Sequence, residues 1–423
     1  MALMHMSTNT SALEISRTVA QPTGLLPLGV GFFLSFRLFS VLLTVRVLHA
    51  DAQVGVMIKL AAGFLLLGIV LFNSIGASRR TLGSLLHLPG YFWILCFIGF
   101  SGCSLAWSVA ASLPAAGVFW CAMVADVATI VLLLRIGSTL ETSSALMKGY
   151  VYGACCIAVV AWIMPAQSDL RLGDEELLGP NQIGYACALA VFLAQYLMRN
   201  NQLRWKVFAV FLGITLLRSL SKTTIAAFLV GEVVVLIMNK SMSPKTKRML
   251  IVGFFVVIAV FWSLLVSYYQ VYLDEGNQSE TLSGRIFIWT YILNEALDKP
   301  WIGHGFHSVW KVIPPFGSDQ FEAGHAHNEL LQQFYAYGIA GIVMLVGLYR
   351  SFYRQVKQLP ASPLRSLLLG VLVFVLVRGL ADTEQFDLSL PLWAIAMFSA
   401  IMAEPDATSP SADFSRSGDF VEV

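Results

Sequence analysis

The run VGVMIKLAAGFLLLGIVLFNSI, residues 54–75, decides the class of fold. Its one ionisable side chain is Lys59, near one end, where the long stem can carry the ammonium to the membrane surface. Roughly 20 consecutive apolar residues, each rising about 1.5 Å in a helix, cross the hydrocarbon core of a bilayer. The rest of the chain continues the pattern. Of 423 residues, 57% are hydrophobic and 12% charged, where a soluble domain has about 45–50% and about 25%. Mean hydropathy is +0.72. So little charge cannot cover a water-facing surface, which excludes a soluble enzyme and a disordered chain. The 27 basic and 25 acidic residues nearly cancel, so no bulk field attracts a polyanion, and no nucleic-acid partner is expected.

Working outward from 54–75, apolar stretches near 25–47, 89–108, 114–134, 146–164, 182–198, 205–217, 224–239, 249–272, 329–348, 366–380 and 388–402 bring the expected spans to twelve. The seventh and twelfth are short, and a pair of short ones would also suit re-entrant segments. Basic residues in short connections stay on the cytoplasmic side. With the N-terminus inside, the inner connections carry fifteen, among them Arg79, Arg80, Lys245, Lys247, Arg350 and Lys357, and the single acid Glu141. The outer connections carry eight basic residues and most of the acids, including Asp174, Asp382, Glu384 and Asp387. The chain is thus expected to be an all-α polytopic membrane protein of about twelve spans, with both termini cytoplasmic. Residues 1–24 form a cytoplasmic segment without the pattern of a cleaved signal. Residues 25–402 form the membrane domain, and 403–423 a disordered cytoplasmic tail. The six cysteines fall in apolar stretches and read as small buried hydrophobes.

One outer connection, 273–324, is long, and loops of that length are usually functional. Within it SGRIFIWTYILNEALD (283–298) spaces Ile286, Trp289, Leu293 and Ala296 as one helical face, with Ser283 as N-cap and Pro300 as stop. An amphipathic helix over the outer face is expected. The same face receives several helix N-termini, whose free N–H groups and partial positive charge suit phosphate. They begin at Gly179-Pro180-Asn181, at Arg218-Ser219-Leu220-Ser221-Lys222-Thr223, at Ser283-Gly284-Arg285 and at His325-Ala326-His327-Asn328. Arg218 and Arg285 offer bidentate donors for a pyrophosphate. Their alternative role is to neutralise outer carboxylates or reach lipid headgroups. His327, at a helix start capped by Asn328, would stay neutral and able to accept a proton. The alternatives for the histidines are plain capping and a metal site joining His325 and His327 to His304 or His307, for which the chain offers no compact ligand set. Three charges fall near span centres: Arg37 and Asp126, which would pair and lock two spans, and Glu232, which has no evident partner.

The runs GRIFIWTYILNEALDKPWIGHGF (284–306) and HAHNELLQQFYAYGIAG (325–341), with LGPNQIG (178–184) and RSLSKTT (218–224), resemble the O-antigen ligase and polymerase superfamily over about residues 175–345. The resemblance implies a metal-independent, cofactor-free glycosyltransferase of the bacterial inner membrane, working at its periplasmic face. The donor would be a glycan on undecaprenyl pyrophosphate. The acceptor would be a sugar hydroxyl on a second lipid-linked unit or on lipid A-core. The family's GR before an IW motif falls on Gly284 and Arg285, its HN on His327 and Asn328, and its basic or serine-rich stretch on Arg218, Ser221 and Lys222. It implies His327 and Arg285 as catalytic, with Arg218, Lys222, Ser221, Asn328 and His325 binding substrate. SKT in place of an SRG-like sequence, with GHGFHSVW (303–310), looks more like the exopolysaccharide-polymerising branch than a ligase. Trp289, Trp301 and Trp310 would cover the site or pack within the loop. A transporter is the more distant alternative, since twelve spans with midplane charges would suit one. No repeat relates the two halves, however, and the polar set gathers at one face.

Overall fold

The computed structural model describes residues 24–75, 81–165, 171–174, 177–198, 202–240, 243–260, 266, 282–310, 312–315, 323–384 and 386–404. The expected N-terminal segment, most of the tail, the ninth span beyond residue 260 and much of the long loop lie outside them. Among the described residues there is no strand, and the helices are α1 (Leu25–Arg46), α2 (Ala52–Ser74), α3 (Leu82–Leu86), α4 (Pro89–Ser104), α5 (Leu113–Ile136), α6 (Thr139–Ile163), α7 (Pro180–Leu197), α8 (Leu203–Arg218), α9 (Lys222–Met238), α10 (Pro244–Val260), α11 (Leu282–Ala296), α12 (Glu329–Gln358), α13 (Pro363–Gly379) and α14 (Leu392–Met402). The all-α expectation holds. Among the described residues, six helices are long and apolar enough to cross a membrane: α1, α2, α4 with its 3-10 extension to Trp107, α5, α6 and α12. The other expected spans also form helices, but these are shorter or less apolar, and α14 has only 11 residues.

Small residues decide how closely the helices approach. α1 lies along α6, where a Cβ on Gly31 would run into the carbonyl of Leu146 and one on Gly149 into the carbonyl of Leu28. Such contacts suit helices that gain little from apolar burial within lipid and must associate by close packing. Arg37 of α1 pairs with Asp126 of α5 at 2.5 Å, as expected of a lock between spans. Glu232 does have a partner: Gln195 Nε2 donates to it at 2.6 Å.

The span expected at 329–348 is broken. Gly338 has φ 61° and ψ −151°, a region open essentially to glycine alone. The chain folds back there, so that Tyr349 Oη donates to the Glu329 carboxylate at 3.1 Å. Residues 329–337 reach only about 13 Å, while 339–358 reach about 30 Å, enough to cross. Groups freed by the break are taken up by residues 300–305. Ile339 N–H donates to Pro300 O at 2.7 Å, and Gly305 N–H donates to Ala336 O at 2.8 Å. The motif GHGF therefore plugs the break, with Gly303 at φ 64° and Gly305 at φ 92°.

α11 is a helix, as expected, but its face is rotated. Ile288, Ile292 and Ala296 are fully buried with Trp289 packed against them, while Ile286 and Leu293 are exposed. The expected 3–4 spacing fits either face, and only docking against α12 chose between them. Trp301 is exposed, and Trp310 packs near His307 and Phe386.

Gly338→Ala should cost about 1–3 kcal/mol from backbone strain alone, and more because its Cβ would meet the Pro300 carbonyl. Thermal unfolding of the detergent-solubilised protein measures this. An unchanged midpoint would mean the break is absent.

Candidate functional site

Side-chain hydrogen bonds bring together the beginnings of α7, α9 and α11, and the start of α12 lies near enough for Arg285 to act on His327. Asn181, in the first turn of α7, accepts from Ser221 Oγ at 2.7 Å and from Arg171 Nη2 at 3.3 Å. Ser221 is the N-cap residue of α9. Two residues on, Thr223 Oγ1 accepts from Arg285 Nη1 at 2.9 Å. Lys222, between them, feels the charges of Arg171 and Arg285. Arg218 is the last residue of α8, one turn before this cluster. Arg171, Lys222 and Arg285 thus lie near one another around the starts of α7 and α9, whose free N–H groups and positive dipole ends suit an anion.

The histidines form the adjoining wall. Asn328 caps α12 as expected, its Oδ1 accepting from Leu331 N–H at 3.0 Å. Its Nδ2 donates to Leu380 O at 2.8 Å, tying this cap to the segment after α13. His327 stands just before the cap at φ 49°, in the left-handed region, and is 9% exposed. His325 and His327 lie ring against ring, with centroids 3.9 Å apart. Both face Asp382: His325 Nε2 is 3.3 Å from Oδ1, and His327 Nδ1 is 3.4 Å from the same oxygen, a polar contact rather than a well-formed hydrogen bond.

Behind Asp382 stands Arg378, at the end of α13. Its Nη2 donates to Asp382 Oδ2 at 3.0 Å, and its Nη1 forms an ion pair with Glu384 Oε1 at 3.0 Å. Its guanidinium lies 4.2 Å over the ring of Tyr185, one turn beyond Asn181 on α7. Arg378, Asp382 and Glu384 were not expected as site residues, and neither was Arg171. The acid-rich run DTEQFD (382–387), beginning four residues after Arg378 in a short connection, was the signal that could have found the first three.

These surroundings set the proton equilibria. Burial would raise the Asp382 carboxyl, but the Arg378 guanidinium and then the two histidines overturn that and hold it well below the usual range. Burial pushes His327 down to about 4, with the neighbouring His325 and the more distant Arg285 adding to the effect and Asp382 opposing it. His327 is therefore a neutral imidazole at physiological pH, able to accept a proton. An anion bound among the cations would raise its basicity towards the working range.

Among the described residues, His325, His327 and Asp382 also form the one group whose ligand atoms lie within 4.8 Å of one another. The metal set considered from sequence, with His304 or His307, is not what comes together. His304 stacks on Tyr335, and His307 stacks on Phe119 and Phe386. Arg378 on the second oxygen of Asp382 places a fixed positive charge where a divalent cation would be repelled.

The fold and site define a class: a multi-pass helical membrane protein with arginines, a lysine and a buried histidine gathered at helix beginnings. Comparison with known proteins agrees with the resemblance read from the motifs. Residues 207–346 match the family model described as O-antigen ligase. The chain is 23% identical over 380 residues to the exopolysaccharide production protein ExoQ of Rhizobium meliloti, covering 82% of this chain and 83% of that one. It is also 23% identical over 134 residues to a putative polysaccharide ligase of Rickettsia felis, covering 29% of this chain and 32% of the relative. The matched family region holds Arg285, His327 and the α9 start, but not Arg171, Asn181, Arg378 or Asp382.

Asp382→Asn should destabilise the protein by about 3–5 kcal/mol, because it breaks a buried pair and leaves Arg378 undercompensated. Thermal unfolding checks this. A loss as small as that of an exposed pair, up to about 1 kcal/mol, would contradict the arrangement.

Proposed function

We propose that the protein polymerises a surface polysaccharide at the periplasmic face of the bacterial inner membrane. It would transfer glycan from an undecaprenyl-pyrophosphate donor to a sugar hydroxyl on a second lipid-linked unit. The observation that carries this reading is the convergence of Arg285, Lys222 and the α9 start beside a buried neutral His327. The exopolysaccharide name of a relative that aligns over most of both chains favours polymerisation. Transfer of a finished chain to lipid A-core is the second reading, favoured by the ligase family model and the Rickettsia relatives. The topology proposed with it keeps twelve membrane segments and cytoplasmic termini, supported by the inward bias of basic residues.

In this mechanism Arg285, with Arg218 and Lys222, holds the pyrophosphate and stabilises the charge that grows on it as the bond from sugar C1 to the phosphate oxygen breaks. The acceptor hydroxyl forms the new bond to C1 and gives its proton to His327. Attack from the side opposite the leaving group inverts the anomeric centre. Asp382, held by Arg378, orients the histidine pair and stabilises the imidazolium as it forms. Ser221, Asn328 and His325 complete the polar wall. An apolar groove of about 510 Å³ between α12 and α13 begins at Glu329 and Leu330, beside Asn328. It suits the isoprenoid tail of the donor.

Purified protein given lipid-linked repeat units should make a ladder of products without lipid A-core, and activity should survive a chelator. Transfer only when lipid A-core is present would instead establish the ligase reading. His327→Ala should lower kcat by about a hundredfold to ten-thousandfold. Arg285→Lys should impair more than Lys299→Ala, because only arginine offers a planar fork. A neutral imidazole is required, so kcat/KM for the free enzyme should hold as pH falls through 6.5 and be lost only on approach to about 4. An acid limb near 6.5 would remove His327 as the base.

A further inference from the structure

The Arg37–Asp126 pair does more than lock two helices. It lines a cavity of about 220 Å³, enclosed by α1, α2, α5, α6, α7, α14 and the segment 384–391. A pair serving packing alone would be closed over by apolar side chains, yet Arg37 stays 26% exposed and Asp126 14%. The same cavity is lined by Lys59 and Gln182. Asp387 also lines it, its Oδ1 accepting from the N–H groups of Leu388 and Leu392. Charged and amide groups inside an apolar bundle are costly, and they concentrate where something polar is bound. Aromatic walls accompany them: Trp393, Tyr150 and Phe386. Planar polar groups that hydrogen-bond neighbouring hydroxyls, beside aromatic faces that cover C–H edges, are the chemistry that holds a sugar ring.

The cavity's position ties it to the reaction. Glu384 is part of its wall and forms an ion pair with Arg378, whose Nη2 donates to Asp382 beside His327. The cavity and the histidines thus lie on two sides of one guanidinium. The groove suited to the donor's tail lies elsewhere, between α12 and α13. We propose that this cavity seats a sugar ring of the acceptor glycan and so helps to select which hydroxyl reaches His327. This rests on the glycosyl-transfer reading above.

The test separates the two substrates chemically. A repeat unit capped as an octyl glycoside has no pyrophosphate to lose and acts only as acceptor. A lipid-linked repeat unit with its accepting hydroxyl O-methylated acts only as donor. Gly63 lines the cavity, and a Cβ there meets only the Phe33 ring at 3.6 Å, so Gly63→Leu fills the space without a backbone clash. Expected is a rise of about tenfold or more in KM for the octyl glycoside, with KM for the methylated donor within about twofold. A rise for the donor alone, or for neither, overturns the proposal. If Gly63→Leu does not fold, photocrosslinking of a diazirine-bearing octyl glycoside to the unaltered protein decides. Labelling of α2, α5 or residues 384–393 supports the cavity, and labelling confined to other segments overturns it. If the unaltered protein transfers nothing between the two probes or between lipid-linked units, the glycosyl-transfer reading itself fails, which is a different result from either of these.

Discussion

The structure of the site depends on the buried guanidinium of Arg378. Taking a charge out of water is costly, and it is tolerated only where geometry and partners are good. Here the partners come from three directions: Asp382 and Glu384 from the segment after α13, and the ring of Tyr185 from α7. Satisfying that one charge fixes an irregular stretch of chain within a helical bundle. Non-helical backbone at such a place is acceptable only where protein or a polar cavity satisfies it. Tyr185 Oη donating to Ser389 O and Ser389 N–H donating to the Glu329 carboxylate show the same demand being met.

From that anchor the groups of the candidate site are placed in sequence. Asp382 is immobilised by Arg378, and two histidines are arranged against it. Asn328 ties the start of α12 to Leu380. The break at Gly338 lets the first piece of α12 turn back towards Tyr349, so that His327 is buried. Burial is what keeps its imidazole neutral. A straight helix from 329 to 358 would separate Glu329 from Tyr349, and the histidines would lose this surrounding.

The basic cluster and the histidine wall meet without sharing a helix. One comes from the starts of α7, α9 and α11 with Arg171 and the end of α8, the other from α12 and the segment after α13. The first gathers positive charge at dipole-positive helix starts, and the second sets its histidines against a carboxylate. Leaving-group charge and proton acceptance need opposite electrostatics. In the proposed reaction, two walls built from different elements would supply both.

The apolar runs, the basic residues in the connections and the spacing of GR, SKT and HAHN were legible in the sequence, because each depends on local composition and on helix periodicity. They determined an all-α membrane protein and the four helix beginnings that carry the candidate site. Tertiary structure alone decided which face of α11 is buried, because 3–4 spacing cannot choose between faces of a helix apolar nearly all round. It also decided that Gly338 breaks α12, since a glycine among apolar residues reads equally as close packing. The role of Arg378 and Asp382 was hidden for a related reason. A charge beside an acid in a connection reads as a solvated pair, and only long-range packing took both out of water and set them against His327.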